Sequence, residues 1–401
     1  MKRIYKCAAA LLAVCLLGGC SDRVHDVPEI IIPSTAASTT TTVIELPQQT
    51  CEVYAPETEE STEQPVVLSR EEEILAQMSL EEKVGQMFIG RCPENGGAED
   101  VEKYHLGGYI LFARDFKGGT PESVRADIAE YQAAAGIPML IGVDEEGGDI
   151  VRVSKYDAFR TEPFGAPMEL YGSGGIDAVT ADAAEKCVLL GSLGINMNFA
   201  PVCDLPRSEN DYIYDRTFGT DAEVTSDCIA AIVTEMNDNG TISVLKHFPG
   251  YGDNVDTHTG IAYDERPLSE FRELDLLPFM AGIDAGAPCV MVSHNIIMSV
   301  DSSLPASLSP AVHELLRDEL DFDGVIVTDE LSMGAIEDLT GSANAAVQAV
   351  KAGNDLLCVT DYASSIEAVI SAVQSGEITE ERIDGSVLRL LRMKAEFGIL
   401  S

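Results

Sequence analysis

Residues able to do chemistry crowd into the stretch 245–258, LKHFPGYGDNVDTH, which holds a lysine, two of the chain's six histidines and two aspartates. It follows the apolar run 242–245, which reads as a buried strand, and Pro249, Gly250 and Gly252 break the backbone beyond it. Asp256 and His258, two apart in irregular backbone, are free to approach each other. A carboxylate beside an imidazole fixes its tautomer and raises its pKa, which makes a general acid near neutral pH. Standing alone, an Asp-x-His in a Gly-rich loop is more often incidental than functional. Here Lys246 and His247 abut a strand end, and a further carboxylate, Asp329, follows the apolar run 324–327. A carboxylate so placed is suited to attack an anomeric carbon; the competing role is to cap the helix that follows.

These groups need a scaffold that gathers strand ends at one face. Apolar runs at 86–89, 108–112, 138–143, 195–200, 243–245, 289–292, 324–327 and 356–359 read as strands. Between and after them lie helix-like segments at 122–134, 178–193, 222–237, 268–285, 310–319, 342–352, 364–375 and 380–397, the last with Thr379 as its N-cap. Ser69 with Glu72 and Ser79 with Glu82 match capping boxes. Eight such alternations predict an α/β fold, a single parallel (β/α)8 TIM-type barrel over residues 69–401, with its reactive groups on the loops after the strands.

The run Lys246-His247-Phe248-Pro249-Gly250, then Gly252-Asp253 and Asp256-Thr257-His258, closely resembles the KHFPGHGD...DSH signature of family 3 glycoside hydrolases of the β-N-acetylglucosaminidase type. Tyr251 stands where that signature has a second His, and Thr257 where it has Ser. The resemblance implies that His258 is the general acid/base, assisted by Asp256, and that Asp329, in Thr328-Asp329-Glu330, is the nucleophile, with Glu330 pointing elsewhere. Asp144-Glu145-Glu146-Gly147-Gly148-Asp149-Ile150-Val151-Arg152 is similar to the family's VDxEGGRVxR, and Asp215-Arg216-Thr217-Phe218-Gly219 to its RSFG element. By that likeness Asp144, Arg152, Arg216, Lys246 and His247 bind the sugar. Asp204 is a support residue, and His294 acts behind the site. Asp149 replaces an arginine of the pattern, which costs a positive charge near the pocket. The implied reaction is a retaining, two-step hydrolysis that releases terminal N-acetylglucosamine from peptidoglycan-derived saccharides. A β-glucosidase or N-acetylglucosaminide phosphorylase of the same family is the alternative within enzymes, and a muropeptide-binding lipoprotein without turnover the alternative outside them.

Composition narrows the partners. Asp and Glu number 67 against 26 Lys and Arg, a formal net charge of −41, so neither nucleic acid nor an anionic membrane surface is an expected electrostatic partner. The chain has no Trp, which favours a pocket for one terminal sugar over a platform for long glycans. Lys2, Arg3 and Lys6 precede a short apolar run and Leu17-Gly18-Gly19-Cys20, a pattern that resembles a bacterial lipobox. The expectation is a signal peptide over 1–19, a diacylated Cys20, and a Thr/Ser/Pro/Glu-rich disordered linker over 20–68 holding the domain outside the cytoplasm at the membrane. No HExxH and no Cys pair of zinc spacing occur, so neither a metal nor another cofactor is expected. The expected assembly is a monomer whose ligand is a small saccharide or muropeptide.

Overall fold

The computed structural model describes residues 68–257, 260–333, 336 and 342–400. Cys20, the leader, nearly all of the linker, and His258 lie outside the described residues.

Among the described residues ten strands form: β1 (Phe88–Arg91), β2 (Gly108–Leu111), β3 (Leu140–Val143), β4 (Met197–Asn198), β5 (Ile242–Phe248), β6 (Tyr263–Asp264), β7 (Cys289–Val292), β8 (Ile296–Ile297), β9 (Val325–Thr328) and β10 (Leu357–Val359). Eight of them make one parallel sheet in the order β10-β1-β2-β3-β4-β5-β7-β9. A bridge between Val327 and Leu356, with Thr328 N–H donating to Leu356 C=O at 3.1 Å, brings β9 back to β10 and rounds the sheet into the expected TIM-type barrel. β6 and β8 pair separately. Strands buried on both faces read as nearly continuous apolar runs, and β2, β3, β7 and β9 are buried at every position.

Departures from the sequence reading have local causes. Residue 86 is not in a strand: the Ser79/Glu82 capping box starts a helix, Leu80–Gln86, and β1 begins only at Phe88. The helix expected at 178–193 runs over Pro167–Leu193 with a kink at Gly174 and Gly175. The helix expected at 268–285 changes to a π-turn over Phe271–Asp275, where the buried Asp275 carboxylate accepts from Arg207 at 2.6 Å and Arg266 at 3.0 Å. Most consequential is β5, which runs past 245 through Lys246 and His247 to Phe248, every residue buried.

Beneath the barrel, Lys394 is fully buried, its Nζ donating to Gln86 Oε1 at 2.8 Å and to the Gly107 carbonyl at 3.2 Å. Desolvation, with no such neutralising carboxylate among these acceptors, lowers its pKa to about 7. The unfolded chain then holds a proton that the folded chain has released, at any pH between about 7 and the ordinary lysine value of 10.5. Stability should therefore rise with pH across that window, by up to about 1.4 kcal/mol per pH unit, and fall as pH drops toward 7. Urea denaturation of wild type and Lys394→Met at several pH values between ~7 and ~9 checks this: stability should rise less with pH in the variant, the slope being lower than in wild type by up to about 1.4 kcal/mol per pH unit.

Candidate active site

A charged residue inside a buried strand is tolerated only when counter-charges meet it. Lys246 meets two: its Nζ lies 2.8 Å from Asp144 Oδ1 and 2.6 Å from Glu146 Oε1. Burial alone would lower its pKa, but the two carboxylates outweigh that and raise it. Adjacent strand residues ordinarily point to opposite faces. On β5 and β7, however, Leu245 pairs with Val290 and Phe248 with Val292, so three steps on one strand match two on the other. This bulge lets Lys246 and His247 both reach the same cleft, as bulges near active sites do.

The segment after β3 supplies the facing wall. Asp144 and Glu146, two apart, line the cleft, and Glu145 between them is buried and turned away. Its carboxylate accepts from the backbone N–H groups of Arg152 and Val153, each at 2.8 Å, of Ser154 at 3.1 Å, and from the Ser154 hydroxyl. That collar folds the loop back so that Arg152 returns to the cleft, where its Nη2 lies 3.7 Å from Asp144 Oδ2. The return demands a tight turn at Gly147: φ is +110°, and a Cβ there would lie 2.2 Å from the Gly165 carbonyl oxygen. Asp149, the departure from the family pattern, is exposed.

Glu146 is the group that ties the floor together. Arg216 donates Nε to it at 2.9 Å and Nη2 at 2.7 Å, while Lys246 takes the same carboxylate from the other side. Desolvation would push this carboxyl up, but Arg216 and then Lys246 override it and hold the carboxyl well below the usual range. Glu146→Gln removes the charge that both cations need. We expect a stability loss of ~3–5 kcal/mol in chemical denaturation and a fall of about 10²-fold in kcat/KM, because the two cations lining the cleft lose their fixed positions. A loss under ~1 kcal/mol would mean that Asp144 alone suffices.

His247 is set by two partners. Its Nδ1 is 2.7 Å from Asp204 Oδ2, and its Nε2 is 3.3 Å from Arg216 Nη2. A guanidinium can only donate, so Nε2 accepts and the ring proton sits on Nδ1, donating to Asp204. Asp204 also accepts from the backbone N–H of His247 at 3.0 Å and of Tyr251 at 2.7 Å, which pins the turn after β5. Tyr251 is buried; its ring meets His247 edge-on with centroids 5.1 Å apart, and its hydroxyl lies 2.6 Å from that of Thr257.

Asp329 follows β9 at the same end of the barrel. Its N–H donates to the Val292 carbonyl at 3.1 Å, and its Oδ1 accepts from Glu330 N–H at 2.8 Å. Glu330, expected to point elsewhere, lines the cleft too, though its Oε1 accepts from Ser332 N–H at 3.1 Å and from Thr360 N–H at 2.9 Å. Burial raises its pKa. Its two backbone donors and the Thr360 hydroxyl engage it as a tie between the loops after β9 and β10. His294 stands behind: its Nε2 donates to the Glu330 carbonyl at 3.0 Å and its Nδ1 accepts from Ser307 at 2.7 Å. Asp256 also lines the cleft.

The structure thus brings Asp144, Arg152, Arg216, Lys246, His247, Asp256 and Asp329 to one cleft of ≈ 980 Å³ including its open mouth. Glu145, Glu146 and Tyr212 were not anticipated. Glu146 had a legible signal, since a lysine at the end of the buried run 242–245 calls for buried acids; Tyr212 had none. Among the described residues no cluster of His, Cys, Asp or Glu could hold a metal ion, and no helix is long and apolar enough to cross a membrane.

Comparison with known proteins gives this geometry its relatives. Residues 79–393 match the family described as glycosyl hydrolase family 3 N terminal domain. A beta-hexosaminidase of Xanthomonas campestris pv. campestris is 36% identical over 270 residues, 66% of this chain and 81% of its own length. The glycoside hydrolase family 3 beta-N-acetylglucosaminidase of Paenibacillus sp. superposes with a TM-score of 0.76 at 34% identity, covering 80% of this chain and 63% of that one. A GH3 family glycosyl hydrolase of Mycobacterium smegmatis does so with a TM-score of 0.73 at 30% identity, covering 80% and 98%. A match over most of the folded residues, on a barrel whose acids and cations meet at the strand ends, makes this chain a member of glycosyl hydrolase family 3.

Proposed function

We propose that the protein is a retaining exo-β-N-acetylglucosaminidase. The observation that carries this reading is one cleft in which Asp329 shares the space with Asp144, Arg152, Arg216, Lys246 and His247, in a chain whose relatives include beta-hexosaminidases. Asp144 can accept from vicinal sugar hydroxyls, and Arg152 and Arg216 can donate to sugar oxygens.

In the first step an Asp329 oxygen attacks C1 of the terminal sugar. The bond from C1 to the leaving oxygen breaks, and His258, oriented by Asp256, gives that oxygen its proton. In the second step His258 takes a proton from water, the hydroxide equivalent adds to C1, and the Asp329 ester bond breaks, so the anomeric configuration is retained. A neutral imidazole between the steps puts no second negative charge beside the nucleophile. Lys246 and Arg216, fixed by Glu146, can donate to sugar oxygens, while Glu146 offsets their charge beside a sugar ring that gains positive character in the transition state.

The test is turnover of 4-nitrophenyl N-acetyl-β-glucosaminide beside 4-nitrophenyl β-glucoside, each with and without inorganic phosphate. The reading requires the acetamido sugar to be preferred and phosphate to leave the rate unchanged. Preference for the glucoside or dependence on phosphate would replace it with one of the related activities, and tight binding of the sugar without turnover would replace it with a receptor.

The physiological substrate in this proposal is a peptidoglycan-derived saccharide or muropeptide, met outside the cytoplasm by a protein anchored through lipid on Cys20. The basic start, short apolar run and Leu-Gly-Gly-Cys support that placement. Cys20→Ala should abolish incorporation of labelled palmitate and move the enzyme from the membrane fraction to the soluble one, with kcat/KM unchanged. Persistent membrane association of the variant would overturn the anchor.

A further inference from the structure

The turn that presents Glu146 to the cleft is gripped from outside the barrel. Lys186, on the helix Pro167–Leu193, donates Nζ to the Glu146 carbonyl at 2.7 Å, and the same ammonium lies 2.6 Å from Asp182 Oδ2 one helical turn earlier. Both side chains are only 11% exposed. Asp182 answers the charge of Lys186, so what the lysine gives the site is a fixed point rather than a field.

The grip falls on the peptide between Glu146 and Gly147. Its N–H donates to the Ile150 carbonyl at 3.2 Å, an acceptor it shares with Glu146 N–H at 3.0 Å. Its carbonyl takes the bond from Lys186, which is charge-assisted and the stronger hold. Gly147, at φ +110°, has the backbone freedom that would let this peptide rotate if the lysine were lost. The neighbouring peptide is secured differently: Asn198 accepts from Glu145 N–H at 2.9 Å and donates to the Glu145 carbonyl at 3.1 Å. Behind the turn lies a mostly apolar cavity of ≈ 550 Å³ including its mouth, walled by Leu170, Val179, Val202 and Phe218. A carbonyl left there without a donor is costly, and rotation toward another partner relieves it. That rotation moves the Glu146 carboxylate away from Arg216, now at 2.7 Å, and Lys246, now at 2.6 Å.

We propose that Lys186 is a positioning residue for sugar binding: it holds the Glu146 peptide from the helix side and so keeps the Glu146 carboxylate where Arg216 and Lys246 meet it. This rests on the reading of Arg216 and Lys246 as sugar-binding groups. Glu146 lines both the cleft and the cavity, whereas Lys186 lines the cavity alone, so its effect on the sugar passes through Glu146. Contacts made to the sugar before and during reaction set KM more than kcat.

The experiment compares wild type, Lys186→Met and Lys186→Arg of the full chain. Steady-state kinetics with 4-nitrophenyl N-acetyl-β-glucosaminide give KM and kcat, and calorimetry gives the Kd of N-acetylglucosamine. Lys186→Met keeps the length of the side chain and deletes the donor. It should raise KM and Kd about tenfold while kcat stays within about threefold. Lys186→Arg, which keeps the cation and can still donate, should leave all three within about threefold. KM and Kd are properties of the folded molecules alone, so a merely structural lysine would lower the yield and the apparent kcat without moving either. A rise of less than about threefold in Lys186→Met, a fall confined to kcat, or equal rises in both variants would overturn the proposal. If Lys186→Met gives no folded protein, Lys186→Gln is read by the same criterion. If wild type itself neither binds nor turns over the acetamido sugar, the functional reading fails and takes this role with it. If wild type does both and Lys186→Met matches it, only the role of Lys186 is lost.

Discussion

Asp329→Asn should reduce kcat by on the order of 10⁴-fold or more for every glycoside, whatever its leaving group. The amide keeps the shape of the side chain and can still accept the Glu330 N–H, which in the wild type meets Asp329 Oδ1 at 2.8 Å. What it loses is the charged oxygen that forms the ester with C1. Because Glu146 fixes Lys246 and Arg216, sugar binding should survive. KM, or the Kd of N-acetylglucosamine measured calorimetrically, should change by less than about threefold. Steady-state kinetics with 4-nitrophenyl N-acetylglucosaminide provide the check. A residual rate above about a hundredth of wild type would point to another carboxylate.

His258→Ala should give a loss of a different form. General acid catalysis contributes about 10²–10⁴-fold where the departing oxygen is a poor leaving group. The disaccharide rate should therefore fall by that amount, while kcat/KM for the nitrophenyl glycoside falls far less. With the nitrophenyl substrate the ester forms but water is no longer activated, so a burst of nitrophenol should precede slow turnover. Azide, a nucleophile that needs no base, should restore turnover and yield the β-glycosyl azide. Equal losses on both substrates, with no azide product, would remove His258 from the acid/base role.

The barrel was legible in the pattern of apolar runs, and the site residues through their likeness to the family 3 motifs. Eight apolar runs implied the barrel, and the groups after them gathered at one end, since parallel strands joined by helices must place their C-terminal ends together. The failures are physical rather than random. Apolar patterning ends β5 at Leu245 because Lys246 and His247 are polar, yet the Asp144 and Glu146 charges on Lys246 and the Asp204 hydrogen bond to His247 let both stay buried in the strand. Those acids lie about a hundred and about forty positions away, and local patterning cannot see such pairing. In Asp144-Glu145-Glu146 the side chains divide between cleft and collar. Spacing identifies Asp144 and Glu146 as a pair on one face only once the loop is known to continue the alternation of β3. The π-turn at Phe271–Asp275 likewise depends on Arg207 and Arg266, two distant arginines that converge on one buried carboxylate. Tyr212 carries no signal in the sequence because it reaches the cleft only on the loop after β4, where its ring meets Tyr251.

The central claim is that Asp329 carries the glycosyl group between the two steps. Its most direct test is to trap that intermediate with a 5-fluoro-N-acetylglucosaminyl fluoride and map the labelled peptide by mass spectrometry. The account predicts one sugar per chain, esterified to Asp329, with activity returning as the ester hydrolyses. A label on Glu330, Asp256 or any other side chain, or a product of inverted anomeric configuration with no adduct formed, would contradict it.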